Sequence, residues 1–444
     1  MNEELLRIAD RVVEMAGSRA EAEVLVTAGE ASLTRFANSF IHQNVGEAFE
    51  AVSLRLVVDG RAASGSTNRA GDESLRDLVA RTAEIARLQP PDPEWPGLAP
   101  PAAVAEADRA DPGTVAATPG ERAAAVEAFV AAGGGYRAAG YCDVDVTGAA
   151  FANSEGQRVS GSSSRATIDG IHQTGESAGS AHQTSRRFAD IDGAGAGALA
   201  AERARMGIGA FDLKPGEYEV VLAPEAVGTI VVFLGFYGFN GKQVAEGQSF
   251  VELGTPQFDE RIGLWDDGSD PGALGLPFDV EGTPKQRIDL VADGITAGVV
   301  HDRRTAGRVG GASTGHAIPG SETVGPVPTN LVLGGGDDPV EEMIASVERG
   351  LYVATFNYCR VLEPKSLVVT GLTRNGTFMI ENGRITGAVT NLRFTQSFVR
   401  ALGPGKVLGI GDDARFADSE FGVGLVAVPS LRLAGWSFTG GADG

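Results

Sequence analysis

The hydrophobic repeat changes once near the start of the chain, and that change decides which folds are open to it. Leu5, Leu6, Ile8, Ala9, Val12, Val13 and Met15 recur at helical spacing, and Gly17 stops the run. From Ala22 the period is 2. Glu23-Val24-Leu25-Val26 and Glu50 to Val58, closed by Asp59-Gly60, read as antiparallel strands ending in a tight turn. A second helix is predicted over Asp72 to Ala86, with Leu75, Leu78, Val79 and Ile85 along one face. Helix, strands and helix in this succession make an α+β domain.

Prolines crowd residues 88–118, at a density that neither helix interiors nor central strands accept, so this stretch is expected to be an ordered surface connection. A helix over Gly120 to Gly133 follows it, then strands over Tyr141–Thr147, Ser162–Thr174 and Ser177–Phe188. The last two are expected to form a hairpin on which His172 and His182 could meet. After Gly193-Ala194-Gly195-Ala196-Gly197 a short helix, Ala198 to Met206, leads into the second half. There Tyr218–Leu222 reads as a buried strand and Pro224 opens an apolar helix. Strands are predicted at Gln286–Leu290 and Ala297–His301, then a helix over Pro339–Gly350. Further strands fall at 351–355, 366–370, 377–381 and 385–389, with Asn382-Gly383 as a hairpin turn. The expected organisation is an N-terminal α+β domain over residues 1–190 and a β-rich domain over 191–444.

Charge narrows the partners. Asp and Glu number 58 against 37 Lys and Arg, a formal charge of -21, and no basic stripe is visible, so direct nucleic-acid binding is not expected. The apolar run from Thr229 to Phe239 falls well short of the roughly 20 residues that cross a bilayer. Met1-Asn2-Glu3-Glu4 has no basic flank of a signal peptide, and Cys142 and Cys359 form no disulfide framework. A cytoplasmic protein is expected.

Residue patterns alone yield no catalytic constellation. No two of the five histidines, His42, His172, His182, His301 and His316, have the spacing of a helical metal clamp. The G-x-S-x-G pattern occurs around Ser177 and Ser313, but a nucleophile elbow needs a strand before it and a helix after it. The first match is a hairpin tip, and the second runs into Pro319-Gly320, so both read as turns. Cys359, without a nearby His, reads as a small strand residue.

Several segments of the second half, taken together, carry a resemblance. They are Leu213-Lys214-Pro215-Gly216-Glu217-Tyr218-Glu219-Val220-Val221-Leu222 with Pro224-Glu225-Ala226-Val227, and Pro277-Phe278-Asp279-Val280-Glu281-Gly282-Thr283-Pro284 with Asp293-Gly294-Ile295. Ser313-Thr314-Gly315-His316-Ala317 and Ile380-Glu381-Asn382-Gly383-Arg384-Ile385 complete the set, and Arg35-Phe36-Ala37-Asn38-Ser39 is similar more loosely. In this order they resemble the TldD/PmbA family over essentially the whole chain. The resemblance implies an N-terminal α+β domain followed by a mostly antiparallel, curved sheet domain. In that family TldD is a zinc peptidase carrying H-E-x-x-x-H, and TldE (PmbA) is its partner without the motif. Two imidazoles and a further ligand hold the zinc, and the Glu activates its water. Here Pro224 and Thr229 stand where the two His would be, only Glu225 remains, and Gly403 to Gly444 contains no Cys for the third ligand.

The resemblance therefore implies a TldE-like subunit with no catalytic, cofactor-binding or metal residues of its own, zinc being held by the partner. That partner would be a TldD-like peptidase, with a homodimer when the chain is made alone, and the substrates unfolded or small peptides. Glu225, His316 and Arg374 are the residues placed nearest a cleft; Arg374-Asn375-Gly376 reads first as a turn. Two other functions stay open. One is a stand-alone hydrolase using His172, His182, Ser313 or Cys359. The other is a regulatory binding protein, since the family was also described as a modulator of DNA gyrase, acting through protein contacts or a toxin–antitoxin component.

Overall fold

The computed structural model describes residues 2–441. Helix α1 (Asn2–Ala16) precedes two long strands, β1 (Glu21–Ala37) and β2 (Phe40–Val58), which turn through Asn38 and Ser39, both with positive φ. That is the geometry of a two-residue hairpin turn whose twist matches the strands. These strands run far beyond the alternating segments visible in the sequence, because His42 to Phe49 is exposed and carries no apolar alternation. Strand β3 (Arg61–Thr67), α2 (Asp72–Leu88), the one-turn α3 (Pro112–Val115) and α4 (Pro119–Ala132) follow, then β4 (Arg137–Asn153), β5 (Arg158–Gln173), β6 (Ala178–Ser185) and α5 (Gly193–Met206). The six strands form one antiparallel sheet in the order β3-β2-β1-β4-β5-β6.

Alternation along these strands separates two faces. Val24, Val26, Leu54 and Ala150 pack under α1 and α2 at one end of the first face. Phe36, Cys142 and Ile168 pack under α4 and α5 at its other end. The opposite face, with Glu23, Leu25 and Phe151, meets the second body. Helix α5 thus packs with the N-terminal sheet. It begins at Gly193 rather than at Ala198, because its glycines are contact points. A Cβ on Gly193 or Gly197 would lie 2.1 or 2.3 Å from a carbonyl oxygen of α4.

The second body starts with β7 (Gly216–Leu222), which leads into α6 (Pro224–Tyr237). Helix α6 is apolar all round because it is enclosed on all sides. On one side lies a sheet of β8 (Leu264–Asp267), β9 (Arg287–Ala292), β10 (Ile295–Thr296), β11 (Leu331–Leu333), β17 (Arg415–Ala417) and β18 (Val426–Val428). On the other are β12 (Arg349–Glu363), β13 (Val368–Glu381), β14 (Arg384–Ala388), β15 (Leu392–Ser397), β16 (Val407–Ile410) and β19 (Leu431–Gly441). Pairing of β12 with β13 closes β12, β7, β19, β15 and β13 into a barrel. Its interior is aromatic: the Trp436 ring lies 5.0 Å from Phe356 and 5.3 Å from Phe394. Apart from β12–β7 and β11–β18, the pairings between these described strands are antiparallel, so the fold is α+β with curved antiparallel sheets.

Three local expectations change. Residues 297–301 make only a bridge, Val300 to Asn240. The helix expected over 339–350 is Val340–Ala345, because Arg349 already belongs to β12. The segments expected as strands at 366–370 and 377–381 belong to one strand, β13, which starts only at Val368. Arg374-Asn375-Gly376 is a bulge within it and not a turn: Thr355 faces Arg374 while Val353 faces Thr377, and Asn375 and Gly376 have positive φ. No described helix is long and apolar enough to cross a membrane.

Candidate functional site

Pro224 occupies the first turn of α6, where its missing N–H leaves nothing unsatisfied, and Glu225 follows it into the contact between the two bodies. Glu225 is only 6% exposed. Its Oε1 accepts a hydrogen bond from Arg415 Nη2 at 2.9 Å. Its Oε2 has no hydrogen-bond partner and lies 4.0 Å from Arg203 Nη2. Arg203, on α5, donates to the Ser180 carbonyl at 2.7 Å and to the Tyr352 hydroxyl at 3.3 Å, so one guanidinium joins both bodies. Burial pushes the Glu225 carboxyl up, but Arg415, Arg203 and His182 together outweigh it and hold the group below the ordinary carboxylate value.

This donor set does not fit a metal ion. Pro224 has no ligand atom, and Thr229 Oγ1 is turned back to the Glu225 carbonyl at 3.4 Å. A dication at the carboxylate would face two guanidinium groups. Among the described residues, no group of three or more His, Cys, Asp or Glu is arranged to hold a metal.

Across the contact, the far face of the N-terminal sheet presents Tyr141, Asp143, Arg165, Asp169 and His182. Burial pushes Asp143 up to about 6, with Asp145 adding to the shift and Arg165 opposing it. Burial also raises Asp418, which faces His182 and Asp169. Beside this cluster a cavity of about 300 Å³ is lined by Asp145, Arg165, Lys285 and Thr329. Lys285 Nζ donates to Thr329 Oγ1 at 2.7 Å and to Asn330 Oδ1 at 2.8 Å, and burial holds its pKa below the usual lysine value. Arg203, Arg415, Asp143 and Lys285 escaped the sequence reading because each is a single charged residue in a segment without a motif.

The other residues named from sequence are dispersed. His172 and His182 do not meet: they face Gly179 and Asp169, which puts them on opposite faces of the sheet. His172 stacks on Phe129 and reaches its carbonyl at 3.0 Å, while His182 lies 3.3 Å from Asp169 and 2.8 Å from Thr184. His316 is buried, with one ring nitrogen 2.7 Å from Asp266 and the other 2.8 Å from Thr314, so it lines no cleft. Arg374 is exposed on β13 and donates to Asn357 at 3.2 Å. Ser177 Oγ donates to the Ala204 carbonyl and Ser313 Oγ to the His301 carbonyl. Burial raises both cysteine thiols, Cys142 to about 12.

Residues 215–440 match the family model for the PmbA/TldA metallopeptidase C-terminal domain, and residues 22–86 that for domain 1. The first match alone takes in just over half of the chain. The chain belongs to the PmbA/TldD family. Among members of known sequence, a Synechocystis metalloprotease is 26% identical over 53% of this chain and 52% of its own length. A Buchnera aphidicola metalloprotease, a TldD homologue, is 27% identical over 47% of this chain and 43% of its own. The chain thus aligns with about half the length of these PmbA/TldD relatives. TldE from Thermococcus kodakarensis has the same fold, with a TM-score of 0.86 over 99% of each chain at 18% identity.

Proposed function

We propose that this PmbA/TldD member is a non-catalytic, TldE-like subunit that pairs with a TldD-like zinc peptidase and helps enclose small or unfolded peptides for cleavage. The observation that carries this reading is the state of Glu225. The carboxylate at the start of α6 is bound by Arg415 and faces Arg203, with Pro224 and Thr229 beside it. A general base must be free to take a proton from water, and a carboxylate paired with arginine is a poor acceptor. A retained fold with a neutralised site still offers surface for a partner and substrate.

The test is zinc content and peptide cleavage by the purified chain, alone and mixed with a TldD-like peptidase. Cleavage only in the mixture, with no stoichiometric zinc in the chain alone, is the expected result. One tightly held zinc per chain together with cleavage by the chain alone would overturn the reading.

A further inference from the structure

The first face of the N-terminal sheet is covered at both ends and open in the middle. Helices α1 and α2 cover one end, and α4 and α5 the other. Between them lies a groove of about 1400 Å³, crossing β2, β1, β4 and β5. Its floor is the bare sheet, including Ala28, Ala48, Val144 and Val146. Val115, 54% exposed, stands at its side.

The walls and floor carry Glu3, Glu4, Glu30, Glu50 and Asp108, none of which forms an ion pair among the described residues; Arg7 is the one cation on the lining. Glu30 and Glu50 rise from the floor itself, on the face shared with Ala28 and Ala48. An apolar floor between unpaired carboxylates fits a ligand that is apolar in part and cationic in part. A second copy of this chain does not suit, since each copy has a net charge of -21. Four strands at about 4.8 Å spacing span roughly 14 Å, the length of about four extended residues.

We propose that this groove binds an extended peptide rich in Lys or Arg, laid across the strands, as a substrate segment. This rests on the peptide-substrate part of the function proposed above and narrows it to basic peptides. Side chains of an extended peptide alternate, so one set contacts Ala28, Ala48 and Val146 while the other reaches the carboxylates.

The test uses the full chain without any partner, so it is independent of pairing. A fluorescein-labelled octapeptide of alternating Lys and Ala is titrated by anisotropy, beside its Glu-for-Lys counterpart. Saturable binding of the cationic peptide alone is expected, at least tenfold weaker in Glu30→Gln/Glu50→Gln and lost in Ala48→Arg, which sets a cation into the floor. The variant Glu73→Gln/Glu84→Gln, which removes the same charge from the exposed side of α2, should bind like the parent. Melting curves confirm that each variant is folded. No saturable binding, or equal weakening by both double variants, overturns the groove and leaves the subunit reading standing. Binding here without partner-dependent cleavage would do the reverse.

Discussion

Arg415 on β17 holds Glu225 at the start of α6 with a 2.9 Å hydrogen bond, while the other oxygen of the same carboxylate faces Arg203 across the contact between the two bodies. Helix α6, the second sheet and the N-terminal helix α5 are thereby tied to one buried charge. Replacing Arg415 with Ala should destabilise the protein by about 2 kcal/mol, below the roughly 3–5 kcal/mol of a fully buried pair. The discount follows from the Arg415 side chain, which is 34% exposed. Adding Glu225→Gln should restore most of the loss, as urea denaturation of the four members of a double-mutant cycle would show. Equal stability of Arg415→Ala and parent would mean that the carboxylate is solvated.

Arg303 is the second tie. Its guanidinium meets Glu23 at 2.6 Å and Glu281 at 3.1 Å, under the Trp95 ring that the Pro-rich connection carries into place. Arg303→Met leaves two buried carboxylates without that partner and should cost about 3–5 kcal/mol. Combining it with Glu23→Gln and Glu281→Gln should recover most of that loss in chemical denaturation.

Asp143 sets a pH dependence. Its carboxyl is pushed from 3.8 up to about 6, so between those values the folded state binds more protons than the unfolded state. Its contribution is therefore full below about pH 3.8 and lost as pH rises to about 6, on the order of 3 kcal/mol in all. Asp143→Asn should gain stability relative to the parent from pH 4 to pH 7. A stability difference that stays flat over that range would contradict the shift.

Gly179 on β6 marks the approach of α5. A Cβ there would stand 2.2 Å from the Ala200 carbonyl oxygen and 2.3 Å from the Ala204 nitrogen. Gly179→Ala should cost about 1–3 kcal/mol by forcing the helix outward. Because Arg203 rides on that helix, the same change should weaken the coupling between Arg203 and Glu225 in a double-mutant cycle.

Periodicity carried α1, α2, β7 and the apolar α6, because each buries one face, or every face, in a regular pattern. It fell short where burial and periodicity part company. The outer half of β2 is exposed, so nothing in its residues announces a strand. The helix expected from Ala198 begins at Gly193, because glycine's role in close helix packing depends on a neighbour, α4, that sequence does not display. The segments after residue 389 were unread, since their strands are short and their apolar residues point into a barrel shared with distant strands. Glu225 was visible through its motif. Its partners Arg203 and Arg415 lie on other elements and come together only in the fold.

The closed barrel imposes an order on synthesis. Strand β7 lies between β12 and β19, so its second partner does not exist until the chain has been made past Leu431. A nascent β7 keeps one edge open, and the largely apolar α6 behind it stays incompletely covered, until the last strand is made, whereas the N-terminal sheet has every strand by residue 185. Such long-range pairing is slow to form. The first body is thus positioned to fold as the chain emerges, and the second depends on protection until its last strand arrives.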